Sequence, residues 1–301
     1  MNVIVTGGAG FVGTNLVKKL LRDGHKVISL DNYSTGKKEN EQDGCKYFDI
    51  DLSSSNVPFE EMCLVQGFKK PDIIFHLAAL ARIQPSLSNP SKALENNFSS
   101  TVNVLEYGRE EDVPVVYAGS SSKHHAPYGS PYAWSKWGGE QLCELYTTCF
   151  DLPTAICRFY NVYGPHQLEE GEYSTVVGIF EKQYRNNKPL TITDDGKQRR
   201  DFTHVEDIVD GLIRCGKGLS SSDDGVVIKG EIFELGSGVN FSINELAKLF
   251  GKNYPTKYIP AREGEYPVTL CDYSKANEML GYKPVKSIKL YVEEFVSKQG
   301  K

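Results

Sequence analysis

Short apolar runs alternate with longer helical patterns through the first half of the 301-residue chain. β-Branched and aliphatic runs predict strands near 2–6, 26–30, 45–48, 72–76, 114–119 and 154–158. Between them, apolar residues recur with a period of about 3.6, as in Leu16, Val17, Leu20 and Leu21, and predict helices near 11–23, 91–110 and 131–150. Such alternation predicts an α/β fold, a Rossmann-type doubly wound parallel sheet covered by helices on both faces, over roughly the first 160 residues. Past Pro165 the alternation lapses. Segment 166–175 is polar and irregular, 176–187 reads as a helix, and 188–201 is charged around an Asp194-Asp195-Gly196 turn. The run Ser220-Ser221-Ser222-Asp223-Asp224-Gly225 reads as a mobile loop, and helices are expected at 243–250 and 288–298. This smaller C-terminal part suits a lid over a substrate.

The first strand, Val3-Ile4-Val5-Thr6, runs into Gly7-Gly8-Ala9-Gly10-Phe11-Val12-Gly13 and then directly into the first helical pattern. Glycine permits a tight turn and a close backbone approach to a pyrophosphate, which then sits on the amides at the helix start. The second strand, Lys26 to Leu30, delivers Asp31 where a ribose 2′-hydroxyl would lie. A carboxylate accepts hydrogen bonds from that hydroxyl and repels a 2′-phosphate, so the pattern predicts NAD over NADP. Glycine-rich turns often serve packing alone; the strand before, the helix after and the acid beyond single out dinucleotide binding.

Composition narrows the rest. With 40% hydrophobic and 24% charged residues, a chain of this length can bury a full core. A net charge of -5 lacks the basic balance of a nucleic-acid-binding protein. No apolar run reaches the about 18 residues of a membrane span, and with the first strand starting at residue 2 no signal peptide is expected. The seven cysteines are scattered without a C-x-x-C pair, and His124-His125 is adjacent rather than at helical spacing. Neither a disulfide frame nor a metal site is expected, and the thiols suit the cytoplasm.

A second constellation is Tyr132-Ala133-Trp134-Ser135-Lys136. Residues four apart share a helix face, and an ammonium near a phenol favours the phenolate. Such a tyrosine can serve as a general base near neutral pH. In isolation the spacing fits a surface tyrosine beside a solvated lysine equally well. Here it follows an apolar strand ending in Ser120-Ser121-Ser122, whose hydroxyls point into the crevice where ligands bind in such sheets.

Together these motifs resemble the extended short-chain dehydrogenase/reductase family, in particular its nucleotide-sugar epimerases and dehydratases, over nearly the whole chain. The resemblance implies cofactor contacts from Gly7, Gly10, Phe11, Val12, Asp31, Asn32 and Lys136. Asp49-Ile50 resembles the pair that brackets the adenine, and His76-Leu77-Ala78-Ala79 the segment lining the cofactor. Asn97, in Asn96-Asn97-Phe98-Ser99-Ser100-Thr101, stands where the family steadies the active-site backbone. Arg158 to Pro165 resembles the segment crossing from nicotinamide to substrate, with Asn161 at the sugar or its phosphate. Arg199-Arg200-Asp201-Phe202-Thr203-His204-Val205-Glu206-Asp207 resembles an R-D-F-x-H-V-x-D segment that places Arg200 near a diphosphate. Arg262-Glu263-Gly264-Glu265 resembles an R-x-G-D/E turn whose arginine also reaches the nucleotide. Arginine suits phosphate because its planar fork gives paired, charge-assisted bonds, although either arginine alone fits a surface salt bridge.

The resemblance also bears on the reaction. Related dehydratases carry an Asp-Glu pair after the strand-end hydroxyl, and UDP-glucuronate decarboxylases a glutamate; this chain has Ser122-Lys123-His124. The expectation is therefore NAD-dependent epimerisation at C4 of a UDP-hexose, with Ser122, Tyr132 and Lys136 catalytic and Ser121, Ser122, Asn161, Arg200 and Arg262 on the substrate. Ser120 or Ser121 could replace Ser122. A dehydratase or reductase, or a non-catalytic NAD sensor, are the competing readings. Two departures stand out: Tyr132 follows Ser122 sooner than in those epimerases, and Lys123-His124-His125 replaces a V-Y-G lead. Lys123 and His124 are either solvated loop residues or substitute acid–base groups. Thr269, seven residues after Arg262, either faces the core or leaves room for a 2-acetamido group where some hexose-only relatives have tyrosine. The expected partners are the nucleotide-diphosphate sugar and a second copy, through helices 91–110 and 131–150. The expected domains are an NAD-binding one over 1–165 with a returning segment at about 202–238, and a nucleotide-sugar-binding one over about 166–201 and 239–301.

Overall fold

The computed structural model describes residues 1–124, 127–220, 228–262, 264 and 266–300. The predicted strands form as β1 (Asn2–Thr6), β2 (Lys26–Asp31), β3 (Lys46–Asp49), β4 (Ile73–His76), β5 (Val115–Ser120) and β6 (Thr154–Phe159). They are interleaved with helices α1 (Phe11–Arg22), α2 (Phe59–Val65), α3 (Ile83–Ser88), α4 (Pro90–Glu111) and α5 (Pro131–Phe150). The rest of the chain adds β7 (Asn161–Tyr163), α6 (Val176–Arg185), β8 (Leu190–Thr193), β9 (Arg199–His204), α7 (Val205–Ser220), β10 (Ile232–Leu235) and β11 (Asn240–Ser242). It ends with α8 (Ile243–Leu249), β12 (Thr256–Ile259), α9 (Ser274–Leu280) and α10 (Ile288–Lys298).

Successive side chains of a strand point to opposite faces, and β1 shows the consequence. Val3 and Val5 join a buried cluster with Leu16, Val17 and Leu20 of α1 and Ile208 and Leu212 of α7. Ile4 joins the opposite cluster, with Val104 and Leu105 of α4 and Cys143 of α5. Among the described residues the result is a seven-stranded sheet, ordered β10-β6-β5-β4-β1-β2-β3, with every pairing parallel. The long helices on the second face start at local signals. Asn89 accepts from the Lys92 amide ahead of Pro90, and Ser130 accepts from the Ala133 amide ahead of Pro131, each satisfying an otherwise orphaned amide beside a proline suited to the first helical position.

The sequence pattern misses part of the second half. Alternation does not lapse after Pro165: β9, α7 and β10 form another strand–helix–strand unit, and Leu235 pairs with Phe159 at the edge of the large sheet. β8, β10 and β12 have four residues each, half-buried or exposed at alternate or all positions, so they carry no long apolar run to read. β10 is the edge strand of the large sheet, whereas the small sheets β12-β8 and β11-β9-β7 cover a separate cluster that includes Tyr163, Phe180, Phe202, Leu246 and Val292. The helix expected over 176–187 ends at Arg185, where Asn187 turns to φ +52°. The loop expected beyond Ser220 lies outside the described residues, as do His125, Glu263 and Glu265.

Candidate active site

Strand order reverses between β1 and β4, and the crevice at such a switch point is where open α/β sheets bind ligands. From there a cleft of ≈770 Å³ runs past the ends of β5 and β6 to Thr191 and Thr193 of β8 and Arg200 of β9. Gly7, Gly10, Phe11, Val12, Asp31, Asn32, Ile50, Leu77, Ala78 and Ala79 line one end. Ser121, Ser122, Tyr132, Lys136, Asn161, Arg200 and Arg262 line the remainder, so the predicted cofactor and substrate positions share one continuous surface.

The glycine turn is built by close backbone approach. Gly7 has φ +71°, and a Cβ there would stand 2.9 Å from the Ala78 nitrogen; at Gly13 it would lie 2.0 Å from the Gly7 carbonyl oxygen. α1 then begins at Gly10 with no side-chain cap and no acid in its first turn, leaving its opening amides available to an anion. Asp31 holds the turn from the next strand. Its Oδ2 accepts from the Ala9 amide at 2.9 Å and its Oδ1 from the Tyr33 amide at 2.8 Å. Burial raises its pKa against the pull of those amides. Uncapped amides, glycine-made space and a buried acid together fit an NAD.

Below the turn, the Thr6 hydroxyl accepts from the amides of Leu77 and Ala78 and meets His76 Nδ1 at 2.8 Å, while His76 Nε2 meets Thr101 at 3.1 Å. Burial pushes His76 down to about 3, so it is neutral. Asn97 and Asp49 stand outside the lining. Asn97 is buried behind the wall: its Oδ1 accepts from the Leu80 amide and its Nδ2 donates to Ser135, which donates in turn to the Tyr132 carbonyl. Asp49 is exposed at the end of the edge strand β3, and the lining resumes at Ile50.

Lys136 is buried and donates from Nζ to the Ala118 carbonyl at 2.7 Å, over the Tyr117 ring. Burial pushes it down to about 8. Ser122 lies in a short turn over Ser121–His124 and donates to Ser120 Oγ at 2.9 Å. The backbone amide of Tyr132 donates to Ser86, an anchor supplied by α3. Thr269 is buried on the cleft wall, accepting from the Asp201 amide and donating to Asn161 Oδ1 at 3.4 Å.

The clipped segment after Ser122 has a definite anchor. His124 Nε2 lies 2.7 Å from Glu234 Oε1 on β10. Glu234 also pairs with Arg158 at 3.0 Å, and Arg158 pairs with the fully buried Glu140 at 2.7 Å. Burial pushes Glu234 up, but the bonds and charges of His124 and Arg158 outweigh it and leave it below the usual carboxylate range. His124 is thus neither simply solvated nor aimed at the reacting groups. Neither the His124–Glu234 link nor Arg82, a half-buried cation on the same cleft wall, is visible from motif spacing.

The profile of the NAD dependent epimerase/dehydratase family matches residues 3–229. The chain belongs to that family. Within it, a UDP-glucose 4-epimerase of Mycolicibacterium smegmatis is 31% identical, aligned over 94% of each chain. A solved UDP-glucose 4-epimerase of Thermotoga maritima, with UDP-glucose, superposes with a TM-score of 0.86 at 28% identity, covering all of both chains. A UDP-glucuronic acid 4-epimerase of Bacillus cereus, in complex with UDP-glucuronic acid and NAD, gives 0.84 at 26% identity over 99% of each. As a family member the chain has the expected α/β Rossmann-type sheet and NAD dependence.

Proposed function

We propose that the chain is an NAD-dependent 4-epimerase of a UDP-hexose of the glucose, N-acetylglucosamine or glucuronate type. The observation that carries this is the one continuous cleft lined by Ser122, Tyr132 and Lys136 together with the glycine turn, with His124, next after Lys123 in the chain, paired to Glu234. Gly7, Gly10, Phe11, Val12, Asp31, Asn32, Ile50 and Leu77 to Ala79 would hold NAD; Asn97 supports the backbone behind it, and Asp49 would reach the adenine only from the rim. NAD held there would supply a reversible hydride acceptor for C4, so the cycle has no net oxidation. Tyr132 accepts the proton of the sugar 4-hydroxyl and later gives it back; Ser122 hydrogen-bonds the same oxygen. Lys136 holds its charge behind them, and Arg200, Arg262 and Asn161 bind the diphosphate and sugar.

The same reading assigns the dinucleotide to 1–165 with the returning 202–238, and the nucleotide sugar to 166–201 and 239–301. It includes a homodimer through α4 and α5, where Leu145 and Phe150 are exposed on α5. It also includes a cytoplasmic location, suited to the free cysteines, of which Cys149 is exposed. No described helix is long and apolar enough to cross a membrane, and no metal cluster occurs among the described residues.

The test is proton NMR of the protein with UDP-glucose, UDP-N-acetylglucosamine and UDP-glucuronate in turn, without added NADH. A new anomeric signal at unchanged mass is expected with at least one. Loss of water would instead support the dehydratase, consumption of NADH supplied in a parallel incubation the reductase, and no turnover in either the sensor.

A further inference from the structure

The cleft carries a cation that the proposed reaction does not use. Arg82 follows the β4 loop and lines the cleft with Ser122, Tyr132 and Asn161. Its Nε donates to the Tyr173 carbonyl at 3.2 Å. That bond ties its loop to the 166–175 segment and fixes the base of the guanidinium. Among the described residues no carboxylate pairs with it. Arg158, by contrast, is locked between Glu140 and Glu234. Burial holds Arg82 below the ordinary arginine value. A desolvated charge of this kind is stabilised by an anion with complementary geometry, and the guanidinium fork matches a carboxylate.

The ligand's own chemistry limits what that anion is. On the proposed reading, one pyrophosphate lies at the α1 amides and the diphosphate of the sugar nucleotide lies with Arg200 and Arg262. Tyr132 marks C4 of the hexose. In a uronic acid the hexose ring itself carries an anion beside C4, the carboxylate on C5. We propose that Arg82 pairs with this carboxylate, so that the preferred substrate is a nucleotide-linked hexuronate and not a neutral hexose. The proposal rests on the 4-epimerase reading and deepens it.

The experiment compares kcat/KM for UDP-glucuronate, UDP-glucose and UDP-N-acetylglucosamine in the wild type, Arg82→Ala and Arg82→Lys, with calorimetric binding of UDP-glucuronate and UDP-glucose to the same proteins. The wild type should favour glucuronate. Arg82→Ala should lower the glucuronate-to-glucose ratio by about 10- to 100-fold, the value of a charge-assisted hydrogen bond to a buried partner, and Arg82→Lys should restore part of it. An unchanged ratio overturns the proposal. So does an equal fall for all three sugars with a shifted pH profile, which would make Arg82 a partner of Tyr132. If no sugar is epimerised, the reaction reading fails. Calorimetry then still decides the pairing: wild type binding UDP-glucuronate no tighter than UDP-glucose overturns it, and tighter binding lost in Arg82→Ala supports it.

Discussion

The two ends of the cleft are held by different kinds of contact. At the dinucleotide end, backbone meets backbone, Gly13 against the Gly7 carbonyl and Gly7 against Ala78, and the Asp31 carboxylate holds the Ala9 and Tyr33 amides. At the sugar end, side chains brace side chains across long sequence distances, as in His124–Glu234–Arg158–Glu140 and Asn97–Ser135. Backbone approach demands glycine at fixed spacing and tolerates no substitute. Side-chain bracing can be met by several residue pairs, so it leaves room for this chain's clipped loop after Ser122.

The largest expected effect separates chemistry from binding. Tyr132→Phe removes the phenol without emptying the cleft, and should lower kcat by about 10²- to 10⁴-fold while the purified protein keeps its NAD. Turnover near the wild-type rate would remove Tyr132 from the proton transfer. The dinucleotide end should respond the other way. In Gly13→Ala the new methyl would stand 2.0 Å from the Gly7 oxygen and 2.7 Å from the Gly8 Cα, both backbone atoms that cannot swing aside. Overpacking of this kind costs about 1–3 kcal/mol. Urea unfolding should show that loss together with depleted NAD; unchanged stability and full NAD content would mean the turn is not held by backbone contact.

This contrast also explains what could be read from the chain alone. The β1–α1–β2 unit with Gly7, Gly10 and Asp31 was legible because one turn geometry requires those residue types at those intervals. Tyr132 and Lys136 were legible because one helix turn separates them. Arg200, Asn161 and Arg262 came only by resemblance, since an arginine's spacing carries no mark of a phosphate. Ser86, Arg82 and Glu234 were not legible at all. Each works with a residue far along the chain, and folding alone brings the two together. The four-residue strands β8, β10 and β12 escaped for a related reason: their partners, not their own apolar content, make them strands.

Acid titration probes both ends in one protein, with smaller effects. Under the dinucleotide turn, Thr6 accepts from two amides and so turns its hydroxyl proton to His76 Nδ1, while the Thr101 hydroxyl donates to the Asn97 carbonyl and receives the proton of His76 Nε2. Protonating Nδ1 would set two donors face to face. The folded pKa, about 3, lies below the unfolded value near ~6.5, so the unfolded state binds more protons between the two. Stability should therefore fall as pH drops through that window, and His76→Gln should flatten the fall whatever it costs at neutral pH. At the sugar end the sign is that of a stabilised carboxylate. Glu234 sits below its ordinary range, held there by His124 and Arg158 against burial. Its contribution is present above the unfolded value of about 4.3 and is lost as pH falls through the lower folded value. Glu234→Gln should remove that last part of the acid limb, and His124→Ala should shrink it less, because the His124 side chain is 41% exposed and solvent screens its share. Urea midpoints of wild type and the three variants between pH 7 and 3 would check this. If Glu234→Gln follows the wild-type curve in acid, the His124–Glu234 link does not stabilise the turn that carries Ser122, and the sugar end is held by Arg158–Glu140 alone.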